Sequence, residues 1–189
     1  MLRSLGAEVI PVRRGEELEL IDGLVIPGGE STVMDKLSRA FGLTGPLKAA
    51  IAAGLPVYGT CAGLIMLADR LCDAIDGQQT LGGLDITVRR NAFGSQSASF
   101  EVDLAVPVLG AVPLHAVFIR APVVESAGEG VRSLAWLDDG RIVAVEQGNL
   151  LGTSFHPEIT GDLRFHRYFL ERAGAADFRA ARARAIVGA

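Results

Sequence analysis

The chain has 189 residues, 49% of them apolar and 21% charged, with two Cys and one Trp. One globular domain over 1–189 is expected, since a domain takes roughly 100–200 residues, and a chain of this size buries about two-thirds of its unfolded surface without a disulfide or a structural metal. Eighteen Lys and Arg against 22 Asp and Glu leave a net charge of −4, which gives no field for a phosphate backbone and excludes nucleic acid as a default partner.

Residues 7–12 read as a short strand, and residues 24–27 as a second, wholly apolar one of the kind buried on both faces of a parallel sheet. Pro27-Gly28-Gly29-Glu30-Ser31-Thr32 follows. Its exposed backbone N–H groups could hold a carboxylate or an oxyanion; a tight strand-to-helix turn needing Gly for positive φ accounts for it equally. It is neither a Walker loop nor a dinucleotide fingerprint. A helical stretch runs over 32–53 with an interruption between Gly42 and Pro46. Val33, Leu37, Phe41, Leu47 and Ile51 supply its apolar positions, and Thr32-Val33-Met34-Asp35 has the spacing of a capping box. Residues 55–58 are a third strand. No charge occurs between Lys48 and Asp69, a window long enough to cross a bilayer. Gly54, Pro56, Gly59 and Gly63 divide it, so a buried strand followed by a packed helix over 64–68 is expected and a membrane span is not. The alternation of strand and helix predicts right-handed parallel crossovers. Over 84–124 the runs shorten (86–88, 99–102, 117–119), which predicts antiparallel additions. Residues 141–152 read as a hairpin, and 162–187 as a terminal helical region with an Arg-rich, solvated end.

Cys61 and Cys72 lie eleven positions apart, too few for a disulfide framework; with no secretory signal evident, a reducing cytoplasm is expected. Cys61 has the more informative surroundings. Gly59-Thr60-Cys61-Ala62-Gly63, between an apolar strand and an apolar helix, has the pattern of a nucleophile elbow with Cys in place of Ser. A helix N-terminus behind a thiol favours thiolate and a developing oxyanion. The plainer reading is a small buried Cys. Of the three His, His156 stands out in Phe155-His156-Pro157-Glu158. Pro157 pushes it towards extended backbone, and Glu158 could accept its second ring N–H as the third member of a relay. An ordinary polar turn is the alternative. His115 and His166 read as surface or packing residues. No ligand spacing of a metal site is present, and no cofactor is implied.

These segments together resemble class I glutamine amidotransferase domains, and within them the glutaminase subunits of pyridoxal 5′-phosphate synthases. Residues 27–32, 59–65 and 154–158 are similar to the substrate loop, nucleophile elbow and His-x-Glu pair. Arg90-Asn91-Ala92-Phe93-Gly94-Ser95-Gln96 with Ser99-Phe100-Glu101, and Phe118-Ile119-Arg120-Ala121-Pro122, resemble segments of that subunit. The resemblance runs from Met1 to about Ala173. It implies a three-layer, flavodoxin-like α/β fold with a mostly parallel central sheet, helices on both faces and antiparallel additions. It implies Cys61 as nucleophile, His156 as general base and acid, and Glu158 as its orienting carboxylate. The N–H groups of Gly28, Gly29 and Ala62 correspond to the oxyanion hole, and Gly29, Glu30, Ser31, Arg90, Ile119 and Arg120 to glutamine-contacting positions. A guanidinium can hold the α-carboxylate of free glutamine through paired hydrogen bonds, although an exposed salt bridge is the ordinary use of either Arg. The implied partners are L-glutamine and a separate synthase subunit that receives ammonia. Two other readings are a non-catalytic partner module and a glutaminase serving another acceptor.

The sequence departs from this family at its start, where the usual opening strand and its Leu-Gln-Gly turn are absent. A misassigned start, a truncation, or completion by another chain is expected, and the chain alone is expected to fold poorly, because an unpaired sheet interior can cost more than a domain's margin of roughly 5–15 kcal/mol.

Overall fold

The apolar runs read from the sequence become the middle of a mixed sheet in the computed structural model, which describes residues 1–93 and 99–175. Gly94, Ser95, Gln96 and the Arg-rich segment after 175 lie outside the described residues. In chain order the elements are β1 (Leu24–Ile26), α1 (Ser31–Ala40), α2 (Thr44–Ala52), β2 (Val57–Thr60), α3 (Ala62–Leu67), β3 (Ala68–Cys72), β4 (Leu84–Arg89), β5 (Ser99–Leu104), β6 (Leu114–Ile119), β7 (Val123–Ala127), β8 (Arg132–Trp136), β9 (Ile142–Gln147), β10 (Leu150–Thr153), α4 (Pro157–Thr160) and α5 (Arg164–Ala175).

The sheet runs β1-β2-β10-β9-β7-β4-β3, with β8 paired on β9. β1, β2 and β10 are mutually parallel, as are β3 and β4. The 141–152 hairpin forms as β9–β10, and β7 adds antiparallel to β4 and β9. Successive residues of a strand point to opposite faces, so Val57 and Leu150 join the core under α1, α2 and α3. Tyr58 and Leu151 join the core under α5. This is the three-layer, flavodoxin-like α/β arrangement expected. The β5–β6 hairpin stands apart as a two-stranded sheet, seated by aromatic contacts from Phe100 to Phe118 (ring centroids 4.6 Å apart) and from Phe118 to Phe155 (5.5 Å). No helix among the described residues is long and apolar enough to cross a membrane.

Several local expectations change. Residues 7–12 form no strand. A strand gets its hydrogen bonds from a neighbour, and β1 pairs only with β2 among the described residues; a cavity of about 600 Å³, lined by Ala7, Ile10, Val25 and Phe169 among others, lies on that side of β1. The third strand begins at Val57 rather than Leu55, since Pro56 has no N–H to give a ladder. β3 and β8 fall in stretches where no strand was expected, and the helix expected over 64–68 instead spans Ala62–Leu67, with Ala68 opening β3. The expected capping box does not form either. Glu30 caps α1, its carboxylate accepting the N–H groups of Thr32 (3.2 Å) and Val33 (2.9 Å), while Asp35 is buried and held by Arg39 and the Gln79 N–H. With Ser31 and Asp35 turned inward, Val33, Leu37 and Phe41 are 49, 50 and 72% exposed.

The β2–α3 turn passes so close to β1 that a Cβ on Gly63 would collide with the Ile26 carbonyl oxygen, and one on Gly59 would meet the backbone of Gly63. Neither obstacle is a flexible side chain. Gly63→Ala is therefore expected to destabilise the fold by about 1–3 kcal/mol, the usual cost of overpacking, as measured by chemical denaturation. Gly45→Ala, where a Cβ meets nothing within 4 Å, serves as the neutral control.

Candidate active site

Cys61 sits between the end of β2 and α3 with φ 48° and ψ −103°, a left-handed conformation that costs a residue with a Cβ about 1–3 kcal/mol unless its surroundings impose it. Here they do. Its N–H donates to the Thr153 carbonyl at 2.8 Å, the last rung between β2 and β10, and Gly63 leaves room for the turn. Ala62, buried, opens α3 directly behind the sulfur.

His156 follows β10 with φ −112° and ψ 85°, outside helical backbone but short of the extended conformation expected before Pro157, and caps α4, with Pro157 at the first helical position. Its N–H donates to the Val117 carbonyl of β6 at 3.0 Å. Nδ1 lies 2.7 Å from Glu158 Oε1, which leaves Nε2 for the sulfur. The hydrogen bond to Cys61, then that to Glu158, outweighs partial burial and pushes the imidazole pKa up to about 10. Burial opposes ionisation of Glu158, but the hydrogen bond from His156 and a backbone N–H hold its carboxyl below the usual range. Gly28 packs against the ring itself, where a Cβ would strike His156 Cε1.

A cavity of about 300 Å³ opens over this pair, lined by Gly29, Glu30, Ser31, Cys61, Ile65, Arg90, Asn91, Ile119, Arg120 and His156. The six expected substrate-contacting residues all line it. Gly28, Ala62 and Glu158 adjoin its walls without lining it. Larger cavities of about 690 and 600 Å³ contain neither Cys nor His, so chemistry rather than size singles out the site.

The two Arg residues differ. Arg90 donates to Gln78 Oε1 (2.8 Å) and Glu30 Oε1 (3.2 Å), with 11% of its side chain exposed. Gln78 in turn donates to Ser31 Oγ at 3.2 Å. Arg120 is exposed and has no hydrogen bond or ion pair with the described residues. Asn91 and Arg120 have φ of 46° and 45°, and their loops are tied by the Ala92 N–H to the Ala121 carbonyl at 3.1 Å. Ile65, Asn91 and Gln78 were missed in the sequence; Asn91 lies beside Arg90 in a segment already singled out, whereas nothing local marks Gln78. Among the described residues, no group of three His, Cys, Asp or Glu side chains is placed to hold a metal ion.

Fold and pocket together define the class: a glutamine amidotransferase, an enzyme acting on the carboxamide of glutamine. The chain belongs to the SNO glutamine amidotransferase family, which residues 1–174 match. It is 70% identical over 171 residues to the "Pyridoxal 5'-phosphate synthase subunit PdxT" of Clavibacter michiganensis subsp. michiganensis, covering 90% of this chain and 82% of that protein. To the protein of the same name from Acidothermus cellulolyticus it is 57% identical over 178 residues, covering 92% and 86%. A solved glutamine amidotransferase structure matches with a TM-score of 0.84 at 49% identity, over 92% of this chain and 90% of that one.

The raised imidazole pKa carries a sign. Protonated His156 contributes stability in full below 6.5, the ordinary imidazole value, and loses it as pH rises through about 10. NMR titration of the ring is expected to place its midpoint near 10 in the wild type and distinctly lower in Cys61→Ala. A wild-type midpoint near 6.5 would show that the ring is not held by its two partners.

Proposed function

We propose that this chain is the glutaminase subunit of a pyridoxal 5′-phosphate synthase, hydrolysing L-glutamine and passing the ammonia to a synthase subunit in the cytoplasm, where Cys61 and Cys72 stay reduced. The observation that carries the reading is a Cys on a strained elbow beside a hydrogen-bonded His–Glu pair, in a cavity with a guanidinium that has no partner among the described residues. The guanidinium of Arg120 takes the substrate α-carboxylate through paired hydrogen bonds. Arg90, already committed to Glu30 and Gln78, shapes the wall between them. Glu30, Ser31 and Ile119 confine the side chain over the sulfur.

His156 holds a proton on its ring, and the Cys61 sulfur attacks the carboxamide carbon as the thiolate. The developing oxyanion is met by the N–H groups of Ala62, at the start of α3, and of Gly28 and Gly29. His156, positioned by Glu158, gives its proton to the departing ammonia, leaving a glutamyl thioester on Cys61. The now neutral ring takes a proton from water, which attacks the thioester carbon and releases glutamate; the proton restores the imidazolium.

Two observations support a partner subunit. The relatives' names describe one subunit of a synthase, and the exposed stripe of Val33, Leu37 and Phe41 runs along the helix whose first residue, Ser31, lines the cavity.

Ammonia release from glutamine, with and without the synthase, tests the reading. Cys61→Ala and His156→Ala are expected to abolish the activity. Arg120→Ala is expected to raise KM by about 10–100-fold with little change in kcat, since a charged hydrogen bond contributes about 1.5–3 kcal/mol. Equal ammonia release by wild type and Cys61→Ala would defeat the proposal.

A further inference from the structure

Thr153, the last residue of β10, is fully buried and touches both halves of the catalytic pair through different oxygens. Its carbonyl accepts the Cys61 N–H at 2.8 Å. Its hydroxyl donates to the carbonyl of Phe155 at 3.4 Å, and that carbonyl belongs to the peptide unit whose N–H is His156's own. The N–H end of the same peptide is held by Val117 at 3.0 Å. The peptide leading into His156 is thus pinned at both ends, one end by Thr153.

A second hydroxyl sets the first. A Thr hydroxyl has one hydrogen; with it directed at Phe155, the 3.2 Å contact between Tyr58 and Thr153 has Tyr58 as donor. Both contacts are long for O–H···O bonds, and they are the hydroxyls' only partners among the described residues. Tyr58 is fully buried and cannot turn to water. Phe165 and Phe169 pack on its ring, and His166 meets it edge-on with centroids 5.5 Å apart. The relay Tyr58 O–H to Thr153 O–H to Phe155 carbonyl therefore runs in one direction under the floor of the site.

We infer that Thr153 is a positioning residue that sets the separation of the Cys61 sulfur from the His156 ring, holding the nucleophile through its carbonyl and the base through its hydroxyl, with Tyr58 fixing the direction of that hydroxyl. The inference deepens the glutaminase reading and rests on it for its effect on turnover. Neither residue touches the substrate cavity. Their removal acts on chemistry rather than on binding.

Three variants test this. Thr153→Val keeps the shape and removes the hydroxyl; Thr153→Ser keeps the hydroxyl; Tyr58→Phe removes only the donor to it. Two quantities are read on folded protein with the synthase present: kcat and KM for ammonia release, and the pH profile of Cys61 alkylation by iodoacetamide, which needs no glutamine. For Thr153→Val, kcat is expected to fall about 10–100-fold, as for a misplacement of less than an ångström to about one ångström, with KM unchanged. The Cys61 alkylation profile is expected to depart from that of the wild type. Thr153→Ser is expected to recover most of both, and Tyr58→Phe to shift both in the same direction by less. A wild-type kcat and profile in Thr153→Val would overturn the inference, as would a folded Thr153→Ser as impaired as Thr153→Val, which would assign the effect to the methyl group. Should Thr153→Val fail to fold, Tyr58→Phe decides by the same readouts: a shift supports the inference and a wild-type profile overturns it. Should wild type release no ammonia, the function proposal fails while the alkylation profiles still test the positioning.

Discussion

An L-residue at φ 48° and ψ −103° relaxes if its neighbours allow it, and the site exists because those of Cys61 do not. Register between β2 and β10 places Thr153 opposite Thr60, so the next ladder bond, from the Cys61 N–H to Thr153, falls on the residue where the strand must turn. The chain cannot run on, because Gly63 already lies against the carbonyl of Ile26, and it cannot swing back, because all six residues of α3 are buried. Burying a large apolar side chain stabilises by about 1.5–3 kcal/mol; Leu64, Ile65, Met66 and Leu67 together outweigh backbone strain of about 1–3 kcal/mol. The strain stays at the sulfur because the core beneath is stiffer than the turn.

Two more non-glycine residues with left-handed backbone, Asn91 and Arg120, line the same cavity; of the four such residues in the described chain, only Asp73 does not. Strain is thus concentrated where side chains must converge from three separate segments. Charge is divided there too. His156 keeps its proton because an acceptor stands on each side of the ring. Glu30 caps α1 and neutralises Arg90 at once, which leaves Arg120 as the cavity cation without a partner among the described residues.

What the sequence made legible was local. The elbow, the Gly-Gly turn and His156-Pro157-Glu158 are each decided within five residues: small flanks permit a sharp turn, Pro opens the short helix α4, and a carboxylate two positions on reaches the ring. Strand β1 and the β9–β10 hairpin were legible from apolar runs for the same reason. What escaped is decided at a distance. Residues 7–12 have strand-like composition but no paired neighbour. Thr32 and Asp35 have capping-box spacing, yet Glu30 reaches the Thr32 N–H first, and Asp35 is claimed by Gln79, 44 positions on. Gln78 carries no local mark, since its importance comes from meeting Ser31 and Arg90. Thr153 and Tyr58 look like ordinary strand residues until β2 and β10 are set side by side.

The orientation of α1 follows from the same long-range demand. A helix that only covered a sheet would turn Val33, Leu37 and Phe41 inward. Instead Ser31 and Asp35 face in, where they hold Gln78 and Gln79, and through Gln78 the helix holds Arg90. Placing the polar face on the site forces part of the apolar face outward, because residues four apart share a side and cannot be reassigned singly. Met34, between the two faces, still packs on the core, which keeps the helix anchored. The exposed stripe is therefore not a packing failure. It is the geometric counterpart of a helix recruited to build a pocket wall, and it leaves an exposed apolar stripe at the edge of the cavity.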